Sequence, residues 1–434
     1  MPLPVEPPPR HLEVPGGAVL RGEPVTIRAR GLAPGRRFTL AATARDGFGG
    51  TWSSRVELVS DADGTIDLSR DAPVDGSYDR AGREGLFWSM ALDPAAAVVT
   101  PVVSIDEVVV RLLGDGGVEL DRAAVRFTVR AGVGEVRVDG PISGSLFLPE
   151  GASPRPVLVV LGGSEGGRRS DLAALLASRL RAPVLALAWF GAPETLLPPA
   201  LQSIPLEYFS AALDWLDTRP EVVPGPQALL GISRGAELAL LIGSTWPGRV
   251  RAVAASVPSA VAWPGEGPDP GAPAWTLGGA PVPFLPIAMT ADQESRLGQA
   301  MQERTPFAFR EVYAGSLAAA PDAAVEAATI PVERIRGPVL LLGGGADAVW
   351  PSDAFVDRIA ARLSSARFPF PVTALTYSGA GHLLQDGYQP TTLTHTVVPG
   401  SPLVLDLGGT PEGTAAANAD SWPRLLRFLE DALR

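Results

Sequence analysis

The stretch Ala228-Leu229-Leu230-Gly231-Ile232-Ser233-Arg234-Gly235-Ala236-Glu237-Leu238-Ala239-Leu240-Leu241-Ile242 decides how this chain is read. Ala228–Gly231 is an apolar run the length of a buried strand, and Arg234–Ser244 continues as a helix. Between them stands Gly-x-Ser-x-Gly. A strand-to-helix turn this tight would drive a side chain two residues from the serine into backbone, so glycine is needed at both places. The spacing therefore predicts Ser233 in a strained conformation, its hydroxyl presented outward. The five-residue pattern is weak alone in a glycine-rich chain; the strand and helix around it supply the weight.

A serine hydroxyl is a poor nucleophile without a neighbouring base. The chain has three histidines, His11, His382 and His395. His11 sits beside a Pro-rich start and reads as a solvated residue. His395 lies in a Thr-rich stretch and reads as a surface histidine. His382 ends Ser378-Gly379-Ala380-Gly381-His382, directly after the strand Thr373–Tyr377, and is the expected base. The acid should fall between serine and histidine and follow a strand of its own. Asp347, after Val339–Leu342 and Gly343-Gly344-Gly345, meets both demands. Asp353 is expected instead to cap the helix that starts beside it. The order Ser233, Asp347, His382 is that of α/β-hydrolases.

Gly162-Gly163-Ser164-Glu165-Gly166 repeats the pattern. The next helix begins only near Ser170, its expected N-cap, so this loop is open rather than a sharp elbow. In hydrolases of this type it supplies an oxyanion N–H. The backbone N–H of Arg234 with one from Gly163 or Ser164 is the expected oxyanion hole, with Ser164 as nucleophile the weaker alternative.

Further outward, strands and helices alternate: Val157–Leu161, Ser170–Leu180, Val184–Ala188, Leu206–Thr218, then the elbow, Ala252–Val257, Val339–Leu342, Thr373–Tyr377 and the closing helix Trp422–Leu433. Alternation of this kind implies a doubly wound, mostly parallel α/β sheet. Between Pro258 and Arg336 it lapses into Pro/Gly-rich loops around the helix Gln293–Gln302, an insertion placed to act as a lid. The first ~130 residues differ. Pro24–Arg30, Arg37–Thr43, Thr51–Leu58 and Ala124–Val129 are short strands set between turn signals, as in an all-β sandwich. The expected domains are 1–131, the sandwich, and 132–434, the catalytic domain, with 258–336 as its insertion.

Composition narrows the chemistry. The 434 residues contain no Cys, which removes thiolate–zinc sites and a thiol nucleophile. All 36 basic residues are Arg, so a lysine base, a Schiff base and the usual phosphate-binding P-loop are excluded too. No metal or cofactor is expected. A net charge of −11 argues against nucleic acid as a partner. No apolar run approaches the ~20 residues of a membrane span. The start Met1-Pro2-Leu3-Pro4 lacks the basic and apolar regions of a signal peptide, and a cytoplasmic protein is expected.

The chain resembles the family of type I acyl-CoA thioesterases and bile acid-CoA:amino acid N-acyltransferases. The resemblance is carried by Glu23-Pro24-Val25-Thr26-Ile27, Arg30-Gly31-Leu32-Ala33-Pro34 and Gly85-Leu86-Phe87-Trp88 in the first half. In the second half it rests on Val184–Ala188, Leu206-Glu207-Tyr208-Phe209, Leu230–Gly235, Ile330-Pro331-Val332-Glu333-Arg334 and Gly379–His382. It implies an immunoglobulin-like first domain and an α/β-hydrolase second domain. It also implies a serine hydrolase acting on an acyl-CoA or related acyl thioester, with the triad positions falling on Ser233, Asp347 and His382. The family's amino-acid transferases carry Cys where this chain has Ser233, which points to the thioesterase branch. An esterase, lactonase or acyltransferase using the same triad, and a silent binding protein, are the alternatives. The family's Gly-Thr-Gly-Gly-Gly loop is here Gly162–Gly166, with Glu165 adding an acid, and Ala346, Ala348 and Val349 replace polar residues. Arg168 and Arg169 are candidates for a CoA phosphate.

Overall fold

Alternation of buried and exposed side chains builds the first unit, which holds residues 1–128 together with 386–396. The computed structural model describes residues 11–94, 105–384, 389–398 and 401–434; the Pro-rich start therefore lies outside the described residues. The longer sheet runs in the order β1 (Val19–Leu20), β6 (Glu119–Thr128), β5 (Glu107–Leu113), β2 (Arg37–Arg45), β3 (Thr51–Val59), β4 (Asp75–Gly76), with Ala91–Leu92 also paired to β3. A smaller antiparallel sheet joins Leu12–Glu13, Arg28–Ala29 and Ile66–Asp67. One core is drawn from both sheets, including Ile27, Leu40, Trp52, Val56, Ile66 and Val110. This is the all-β sandwich of the sequence reading. Pro24–Arg30 is strand only at Arg28–Ala29, flanked by single backbone bonds from Leu68 N to Ile27 O at 3.3 Å and from Arg30 N to His11 O at 2.9 Å. Thr391 N donates to Trp88 O at 2.9 Å, and Leu393 packs on this core. His11 is half-buried rather than solvated, with its ring Nδ1 2.9 Å from Arg30 O.

The second unit, residues 129–385 and 397–434, is organised by apolar strands buried on both faces. Its eight-stranded sheet has the order β7 (Val133–Asp139), β8 (Ser143–Pro149), β10 (Val184–Ala188), β9 (Leu158–Leu161), β11 (Gln227–Ile232), β12 (Val250–Ser256), β13 (Val339–Gly344), β14 (Val372–Tyr377). β7, β8 and β10 pair antiparallel, and every pair from β10 to β14 is parallel. Helices α1 (Ser170–Leu180), α2 (Glu207–Asp217) and α3 (Arg234–Thr245) form the crossovers among β9, β10, β11 and β12. The doubly wound α/β-hydrolase sheet is thus present.

Register sets the site. Ile232 pairs with Ser256, Ser256 with Leu342, and Gly344 with Tyr377, so the carboxyl ends of β11 to β14 lie side by side. Loops leaving those ends can share one place.

Three local expectations are corrected. Ser170 does not cap α1: the N-cap is Arg169, with no side-chain cap, and Ser170 is the first helical residue. The closing helix α8 spans Pro411–Ala432, 22 residues, and so begins well before the expected Trp422. The helix runs through Pro423, and its start signals are the Thr410 cap, whose side chain accepts from Gly413 N, and Pro411 in the first turn. The insertion holds α4 (Ala291–Glu303), started by a Thr290–Gln293 capping box, and two helices read as loops, α5 (Arg310–Ala319) and α6 (Asp322–Ala328).

Candidate active site

Ser233 ends the turn between β11 and α3 with φ +56° and ψ −121°, a conformation that a non-glycine residue adopts only when its surroundings force it. The forcing groups are backbone. A Cβ on Gly231 would stand 2.0 Å from Gly235 O, and one on Gly235 would stand 2.1 Å from Gly162 O. The Ser233 N–H donates to Ser256 O at 2.9 Å, tying the elbow to β12. The elbow expected from the sequence is the elbow observed.

Its hydroxyl meets the expected partner. His382 Nε2 is 2.9 Å from Ser233 Oγ, and His382 Nδ1 is 2.8 Å from Asp347 Oδ2. Asp347 is fully buried. Its other oxygen, Oδ1, accepts the backbone N–H groups of Val349 at 2.9 Å and Trp350 at 3.3 Å. Those donors hold the carboxylate in one orientation, and the imidazole is held by it in turn. The edge of Trp350 meets His382, ring centroids 5.9 Å apart, while its indole N–H donates to Val257 O at 3.1 Å. His395, also half-buried, starts the strand His395–Val397 and has no place in this array.

The acid and base loops are joined by a third segment that sequence reasoning missed. Leu407 O accepts from His382 N at 2.8 Å and from Ala348 N at 3.4 Å. Gly408 follows at φ +70°, and a Cβ there would lie 2.0 Å from Ala346 O. The signal available in the sequence was the pair Gly408-Gly409.

Asp353 does not cap its helix. The N-cap of α7 (Ser352–Ser365) is Pro351, and Asp353 instead takes both oxygens to Arg310 Nη2 at 2.8 and 2.9 Å. Arg310 also donates to Asp347 O at 3.1 Å, so this pair buttresses the acid loop.

The expected oxyanion residues lie at the elbow. Gly163 is close enough that its added Cβ would stand 3.2 Å from Ser233 Cβ. Arg234 N opens α3, where an N–H has no partner within the helix. Ser164 is not a second nucleophile: its hydroxyl donates to Glu266 Oε1 at 3.0 Å, and no histidine approaches it among the described residues. Arg168 pairs with Glu194, and Arg169 with Glu165 at 3.1 Å, so both phosphate candidates are occupied by acids of this chain.

A buried ion pair lies under the nucleophile. Arg234 donates to Glu237 at 2.9 Å and to the carbonyls of Trp263 and Pro264, fixing the start of the insertion to the elbow. Trp275 Nε1 donates to Glu237 at 2.6 Å. Burial pushes the Glu237 carboxyl up to about 7, against the pull of Arg234 and the indole N–H. Glu237 is one helical turn from Ser233, a spacing open to sequence reading but without chemical meaning until the burial is known.

Such an array can make a hydroxyl nucleophilic and stabilise the imidazolium that results. Among the described residues no group of side chains could hold a metal ion, and no helix is long and apolar enough to cross a membrane.

Comparison with known proteins bears on the whole chain. The family model for the BAAT/acyl-CoA thioester hydrolase C-terminal region matches residues 204–434, and that for the acyl-CoA thioester hydrolase/BAAT N-terminal region matches residues 22–133. Mouse acyl-coenzyme A thioesterase 1 is 30% identical over 96% of this chain and 96% of its own. Human acyl-coenzyme A thioesterase 1 is 31% identical over the same shares. Mouse mitochondrial acyl-coenzyme A thioesterase 2 is 30% identical over 96% of this chain and 88% of its own.

Proposed function

The chain belongs to the BAAT/acyl-CoA thioester hydrolase family, and from that premise we propose that it hydrolyses acyl-CoA or related acyl thioesters through an acyl-enzyme on Ser233. The observation that carries the reading is the hydrogen-bonded run from Ser233 Oγ through His382 to Asp347.

In this reading His382 Nε2 takes the Ser233 proton as Oγ adds to the thioester carbonyl. The carbonyl oxygen becomes an oxyanion, held by the N–H of Arg234 and one from the Gly163–Ser164 loop. Collapse breaks the carbon–sulfur bond, and the thiol leaves with the proton from His382. Water then adds to the ester with His382 again as base, releasing a carboxylic acid and restoring Ser233. Asp347 holds the imidazole tautomer and favours its charged form. A serine here favours water over an amine acceptor, because an oxyester is less readily aminolysed than a thioester. Residues 258–336 serve as the lid, hinged from the Arg234 contacts at its start.

Steady-state rates on a panel of acyl-CoA thioesters, matched oxyesters and lactones test this, with and without glycine or taurine. Thioester hydrolysis without acceptor dependence is expected. Faster turnover of oxyesters or lactones, or an acyl amide as the main product, would overturn it.

A further inference from the structure

We infer that the second unit carries a separate ligand site at the opposite end of its sheet, a cleft that takes an organic phosphate monoester bearing a flat apolar body. Ser233, Asp347 and His382 follow the carboxyl ends of β11, β13 and β14; this cleft opens instead at the amino ends of β12, β13 and β14, under the last turns of α8. Its volume is about 460 Å³, within the size range of small-molecule sites. Three guanidiniums line it: Arg251 from β12, and Arg424 and Arg427 one turn apart on α8. Leu340 and Phe428 give it an apolar wall.

The arginines are underused by the protein itself. Neither Arg251 nor Arg427 has a hydrogen-bond or ion-pair partner among the described residues. Arg424 spends only its Nε on Asp420, at 2.8 Å, leaving two terminal nitrogens. The one acid in the lining, Asp431, is engaged by Arg434 at 3.2 Å. Arg251 is half-buried without a counter-ion, and that burial depresses its affinity for its own proton. In a chain of net charge −11, three guanidiniums gathered on one cleft need a reason. A bound anion supplies one. Guanidinium forks match the oxygens of a phosphate in pairs, and a dianion suits three positive charges better than a single carboxylate does. Phe428 offers a face on which a planar ring can stack.

The test is calorimetric titration of the full chain, its Ser233 blocked by a fluorophosphonate, with adenosine monophosphate, inorganic phosphate and adenosine as three probes. Saturable binding of the nucleotide is expected, with phosphate and adenosine each at least tenfold weaker. Arg251→Gln with Arg427→Gln together should weaken the nucleotide at least tenfold and leave acyl-CoA turnover unchanged in unblocked protein. Arg427→Gln alone, an exposed change that leaves the fold intact, should weaken it severalfold. Absence of saturation at millimolar nucleotide, equal affinity for phosphate and nucleotide, or undiminished binding in the arginine variants would each overturn the proposal. The last outcome would place the nucleotide at the carboxyl end of the sheet.

Discussion

His382 Nε2 lies 2.9 Å from Ser233 Oγ across 149 residues of chain, and the strand register is what brings them together. β11 and β14 end on the same edge of the sheet, with β12 and β13 between them. The loop after β13 places Asp347 behind the imidazole. No element has to move for the three side chains to be in hydrogen-bond reach.

Replacing Asp347 by Asn should lower kcat by about 10⁴ with little change in KM, because an amide holds the wrong tautomer. The carboxylate also accepts two backbone N–H groups, from Val349 and Trp350, which the Asn oxygen can retain. Circular dichroism should therefore show a folded protein while stopped assays show the loss.

Gly235→Ala should fail by folding rather than by chemistry. Its Cβ would meet Gly162 O at 2.1 Å and Leu161 O at 2.4 Å, both backbone atoms that cannot swing away. Destabilisation of about 3 kcal/mol or more is expected. Urea unfolding of the purified variant measures it.

Glu237 ties stability to pH. Its folded pKa is raised to about 7 by burial, above the ordinary carboxylate value of 4.5. Between those values the unfolded chain has released the proton and the folded one retains it, so stability from this group falls as pH rises through the window. Above about 7 the contribution is level. Glu237→Gln should remove that slope: the stability difference between wild type and variant, followed from pH 4.5 to 8, should move in the variant's favour. A difference independent of pH would contradict it.

Trp350→Phe keeps the ring against His382 but loses the indole N–H bond to Val257 O. A buried carbonyl left unpaired costs about 1–3 kcal/mol. A lower thermal midpoint is expected, with kcat within a few-fold of wild type. Differential scanning calorimetry beside the acyl-CoA assay checks both halves.

Much of this site was legible in the sequence, and for identifiable reasons. The elbow glycines, the apolar runs of β9 and β11, and the single histidine after a strand each report a backbone constraint that few residues satisfy. The rest depended on contacts between distant segments. Leu407 joins the acid and base loops through its carbonyl, which any residue could supply. Arg310 and Asp353 are ordinary surface types until the chain brings them together. The helices of the insertion escaped because Ala-rich segments broken by Pro321 carry little amphipathic signal, and the first half of α8 escaped because Gly413–Asp420 holds no large apolar residue to mark a buried face.

The most direct measurement is intact-mass analysis of the protein quenched during turnover of a mixed acyl-CoA panel, followed by peptide mapping. A single acyl adduct on the peptide holding Ser233, absent from Ser233→Ala and accumulating in His382→Ala only weakly, is the predicted result. Full turnover by Ser233→Ala, or an adduct on any other residue, would contradict it.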